Sequence, residues 1–78
     1  TMAIDSAKLD EMQKQYKAAV DAWVEAIRRE EALASVGHDE AKLDEWENAA
    51  FAEEAARNQA KAAKGGYESA LRQELFNF

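Results

Sequence analysis

Seventy-eight residues with no cysteine, no proline, three glycines and a net charge of −6 leave room for one small domain and exclude several chemistries together. Without cysteine there is no disulfide framework, no thiolate nucleophile and no structural zinc site of the usual kind, and one histidine gives no imidazole pair for a metal. Eighteen of the 37 hydrophobic residues are alanine, which favours helix throughout and leaves 19 larger apolar side chains for a core.

The first helix is predicted from about residue 6 to 35, with Asp5 as its N-cap. Its apolar positions are Leu9, Met12, Tyr16, Ala19, Val20, Trp23, Ala26, Ile27, Leu33 and Ala34, a 3–4 spacing interrupted by Glu30. Asp10–Lys14 and Glu25–Arg29 are acid-before-base pairs at i,i+4, each contributing about 0.2–0.5 kcal/mol. A turn at 36–39 follows, in which Gly37 suits a left-handed C-terminal residue and Asp39 caps the next helix. So short a connection returns the chain antiparallel.

The segment Asp5-Ser-Ala-Lys-Leu-Asp-Glu11 recurs as Asp39-Glu-Ala-Lys-Leu-Asp-Glu45, an offset of 34 residues. The signature positions of 34-residue helical repeats are missing, so the similarity reflects shared capping chemistry. The second helix is predicted from about 40 to 64 with the stripe Leu43, Trp46, Ala49, Ala50, Glu53, Ala56, Ala60, Ala63 and Tyr67. Folding about Gly37–His38 pairs residues whose numbers sum to about 76. Leu33 should then meet Leu43, Trp46 should lie over Ala26 and Glu30, and Trp23 should face Ala52 and Glu53. Gly65-Gly66 costs about 2 kcal/mol relative to alanine inside a helix, which predicts a kink or break there. A short third helix over about 67–76 is expected beyond it, with everything after Tyr67 overhanging the hairpin.

The fold expected is therefore all-α: an antiparallel hairpin of two long helices in a single domain, residues 1–78, completed to a four-helix bundle by dimerisation. Val24 and Phe51 lie off the main stripes. Phe51 continues with Ala55 and Ala62 into a second apolar face, which calls for another helix.

No arrangement of reacting groups emerges. His38 beside Asp39 reads as a solvated turn residue, and no serine stands with a histidine and an acid. Glu30-Glu31 and Glu53-Glu54 can approach each other across the hairpin, but the Glu-x-x-His of di-metal bundles is lacking, so no metal or other cofactor is expected. Gly65-Gly66 follows no strand and lacks the Lys-Ser/Thr ending of a phosphate loop. The acidic balance opposes nucleic acid and anionic membrane surfaces, and no apolar run approaches the ~18 residues of a membrane span. No basic segment leads into an apolar stretch at the N-terminus, so no signal peptide and a cytoplasmic location in a bacterial or phage setting are expected. Thr1 before Met2 reads as a cloning remnant.

The function expected is a non-catalytic protein–protein interaction module that binds itself as a homodimer, a helix of another protein, or both. Its anchors are Trp23, Trp46, Phe51, Tyr67, Leu71, Leu75, Phe76 and Phe78. Two alternatives come from other features. An acidic inhibitor or nucleic-acid-mimicking decoy would dock on a basic groove through Asp39, Glu40, Asp44, Glu45, Glu47 and Glu54. A structural subunit of a filament or phage particle would polymerise through the overhanging C-terminus.

Overall fold

The computed structural model describes residues 6–34 and 39–76. Two helices account for nearly all of them, α1 (Ser6–Leu33) and α2 (Glu40–Phe76), with no strand among the described residues. The expected cap at Asp5, the turn residues Gly37 and His38, and Phe78 lie outside that set. At the start of α2 the expected cap is formed: Asp39 Oδ1 accepts from the Lys42 amide at 2.8 Å, and the Asp39 carbonyl accepts from the Leu43 amide at 3.2 Å. One side-chain oxygen thus satisfies an otherwise orphaned first-turn donor.

The helices pack antiparallel in the register anticipated. Trp23 Nε1 donates to Glu53 Oε2 at 2.7 Å, and Gly66 lies against Met12. On α1 the inward side runs Leu9, Met12, Tyr16, Ala19, Val20, Trp23, Ala26, Glu30 and Leu33, all half-buried. The chain is long and thin, 63 × 17 × 11 Å with a radius of gyration of 17.8 Å.

Three expectations about α2 are corrected. First, the helix runs unbroken through Gly65-Gly66, so residues 67–76 belong to α2 and form no third helix. Cover outlasts the glycines: Tyr67 and Leu71 are half-buried and Ala70 is buried, so the overhang begins later than Tyr67. Packing on both sides of the pair offsets its helix penalty.

Second, Leu43 is 64% exposed and lies outside the core. The positions covered by α1 step back from Ala60 through Ala56, Glu53 and Ala49, and Leu43 falls a third of a turn off that line. Third, Trp46 and Ile27 stand at the edge of the interface and not within it. Alanines at 49, 56 and 60 line the covered side of α2, while Trp46 and Ile27 line its rim beside Glu30, Glu31 and Glu53.

Among the described residues the side-chain ion pairs are local, and apart from Arg57–Glu53 they lie at the surface. Arg28–Glu31 and Lys42–Glu45 close at 3.3 Å, whereas the expected Asp10–Lys14 and Glu25–Arg29 pairs do not close. A few tenths of a kcal/mol does not hold two long solvated side chains in one geometry.

Candidate functional site

The features that set this hairpin apart lie on its outside. Among the described residues only Ala49, Ala60 and Ala70 are buried apolar residues, and no large side chain is fully buried. Seven large apolar residues are exposed instead: Val24, Ile27, Leu43, Trp46, Phe51, Leu75 and Phe76. The larger apolar side chains along the interface, such as Tyr16, Trp23 and Leu33, are only half-buried.

One group of these residues forms a surface. Ile27 and Trp46 line a shallow groove of about 370 Å³ together with Glu30, Glu31 and Glu53. Val24 stands one turn before Ile27, and Leu43 one turn before Trp46, so both helices extend the apolar patch along the same flank. Glu30, Glu31 and Glu53 thus line one groove, whereas Glu54, expected with them, is exposed and lies outside it. Glu53 is already held, however, by Trp23 Nε1 at 2.7 Å and Arg57 Nε at 3.7 Å. Among the described residues no three His, Asp or Glu side chains converge on a point that could hold a metal ion.

The expected anchors fall into three sets. Trp46, Phe51, Leu75 and Phe76 are exposed. Trp23, Tyr67 and Leu71 are half-buried, with Trp23 committed inside the hairpin to Glu53. Phe78 lies outside the described residues. Phe51 does not join the Ile27–Trp46 groove: it lies on the side of α2 turned from α1, in line with Ala55 and Ala62, all of them exposed.

Of the acidic set, Asp39, Glu40, Asp44, Glu45, Glu47 and Glu54 are all exposed. Asp39 is occupied as a cap, and Glu45 receives Lys42 Nζ at 3.3 Å. A second groove, on the opposite flank, is lined by Arg29, Leu33, Glu45, Asn48, Ala49 and Ala52 and contains no exposed aromatic side chain. Ile27 and Leu43 were assigned by spacing to the interior. Each stands off the line of covered positions on its own helix, a distinction that spacing alone does not draw.

Among the described residues no helix is long and apolar enough to cross a membrane. Comparison with models of protein families, with curated proteins and with solved structures gives no match to this chain.

Proposed function

We propose that this chain is a small non-catalytic interaction module whose apolar packing is completed by helices from outside the hairpin. The leading occupant is a second copy, giving a homodimeric four-helix assembly. A helix of a larger protein is the other source of the same chemistry. The observation that carries this reading is the poverty of the core: among the described residues only alanines are fully buried, while seven large apolar side chains are exposed. Monomeric domains scatter exposed apolar residues singly, whereas contiguous patches mark surfaces for association. Covering one such side chain fully contributes about 1.5–3 kcal/mol, so a few of them suffice to drive pairing of a chain this small.

Sedimentation equilibrium from about 1 to 100 μM, spanning the Kd range of modest self-association, tests the reading. Association should persist in high salt, because apolar burial is not screened. The Phe51→Ala/Leu75→Ala variant should associate more weakly. A chain that stays monomeric throughout that range, with stability indifferent to this double substitution, refutes self-association through these residues.

A further inference from the structure

Two lines of heptad spacing run along α2, and α1 covers one of them. The covered line includes Ala49, Glu53, Ala56, Ala60 and Ala63 and continues to Glu74 in alternating steps of four and three, every member buried or half-buried. The other begins at Asn48 and passes through Phe51, Ala55, Asn58, Ala62 and Gly65 to Ser69 in the same alternation, every member exposed. At 100° per residue the two lie roughly 160° apart around the helix, so α1 cannot reach both. The exposed line carries no charge, and Phe51, 62% exposed, is its one large side chain. A Cβ built at Gly65 meets nothing within 4 Å, so the backbone there is open to close approach. Alternation of this kind is how one helix presents a face to another.

The charges bordering the face say what covers it. Along one border Glu40, Glu47, Glu54 and Lys61 stand at intervals of seven. The whole helix is polarised in the same sense. Residues 40–54 hold six carboxylates against Lys42, net −5, and residues 55–76 hold four bases against Glu68 and Glu74, net +2. Two such helices side by side in the same direction would set acidic half on acidic half, with their macrodipoles parallel. Reversed, each acidic half lies along the basic half of the other.

We propose that α2 of a second copy covers this face, running antiparallel, with residue numbers across the pair summing to 113. This rests on the self-association reading above and adds the face, the direction and the register. Phe51 then seats on the partner's Ala62 with Gly65 beside it, large on small, and Ala55 meets the partner's Asn58. On the border, where flanking positions pair two residues out of step with the central line and so sum to 115, Glu54 meets the partner's Lys61, twice by symmetry. Glu47 meets Glu68, whose carboxylate already has Lys64 at 3.7 Å and Arg72 at 3.6 Å, a group of net +1. A slip of one heptad either way sets Lys61 on Lys61 or Glu54 on Glu54. The product is an open layer, α1–α2–α2–α1, and not a closed bundle, so the Ile27–Trp46 flank stays accessible.

The chain has no native cysteine, so introduced thiols report alone. Glu54→Cys and Lys61→Cys variants, mixed in equal amounts and equilibrated in a glutathione redox buffer, should form the mixed disulfide about tenfold or more over either homodisulfide. In parallel, Lys61→Glu should weaken the dimer about tenfold in sedimentation equilibrium, and Glu54→Lys/Lys61→Glu should restore it. A statistical or homodisulfide-dominated product from a chain that still sediments as a dimer overturns the antiparallel face but leaves self-association standing. Failure of the double charge swap to restore the dimer overturns the register. A monomer at every concentration overturns both the pairing and the self-association on which it rests.

Discussion

Replacing Gly65 and Gly66 by alanine should stabilise the protein, and the size of the effect can be worked from the surroundings of each. Both glycines lie inside a 37-residue helix, with neither showing the left-handed backbone that would penalise a side chain. A Cβ at Gly65 meets open space. One at Gly66 comes 3.7 Å from Met12 Cε, an ordinary van der Waals contact. The steric cost is therefore negligible, and the intrinsic difference of about 0.8–1 kcal/mol per site should be recovered almost whole. The pair should contribute about 1.5–2 kcal/mol and raise Tm by about 10 °C for a domain of this length. Circular dichroism at 222 nm during thermal and urea unfolding reads the change, with wild type and variant at one matched concentration because association shifts Tm by mass action. Gly66→Ala alone is the cleaner arm, since Gly65 also lies on the face proposed to pair. A neutral or destabilising Gly66→Ala would mean that the helix is broken at this point, and the reasoning about an unbroken α2 would be wrong.

Other substitutions probe the hairpin elsewhere. Trp23→Phe removes the 2.7 Å donor to Glu53 and leaves a largely covered carboxylate with only Arg57 at 3.7 Å, which should cost about 1–2 kcal/mol by urea denaturation. An unchanged midpoint would show that the bond contributes nothing net. Asp39→Ala deletes the cap on the Lys42 amide and should cost about 1 kcal/mol, whereas Asp39→Asn should retain most of it. Ala60, 3% exposed, is the most deeply buried residue named in the core, so Ala60→Leu should destabilise by about 1–3 kcal/mol through overpacking. Leu43→Ala, at an exposed site, should change stability by no more than about 0.5 kcal/mol when measured on monomer, and a larger loss would return Leu43 to the core.

Much of the hairpin is legible in the sequence because helix periodicity and capping are local. Asp39 announces the start of α2, and the 3–4 spacing from Leu9 to Leu33 predicts the inward side of α1 almost residue by residue. The pairing follows from the turn position alone, as the Trp23–Glu53 bond illustrates. Two kinds of information are not local. Spacing places Leu43 and Ile27 indoors, but how much of each helix its partner covers is decided by tertiary packing, and both residues fall beyond that cover. The Gly65-Gly66 pair reads as a break on propensity, yet Tyr67, Ala70 and Leu71 beyond it are covered and the helix carries on. The candidate surface was legible in part, through Phe51 and its neighbours Ala55 and Ala62. The Ile27–Trp46 groove depends on which residues the interior rejects, and no window of the sequence states that.

The slender outline of the hairpin governs how its assembly can be weighed. A compact domain reaches a radius of gyration of 17.8 Å only at about 250 residues, so column elution or scattering radius would assign this 78-residue chain far too large a mass. Lateral pairing about the middle of α2 would widen the particle while hardly lengthening it beyond 63 Å. Frictional size is thus inflated in the monomer and insensitive to the dimer, and one rod would be mistaken for two. Only a method that responds to mass itself, free of shape, separates the two species.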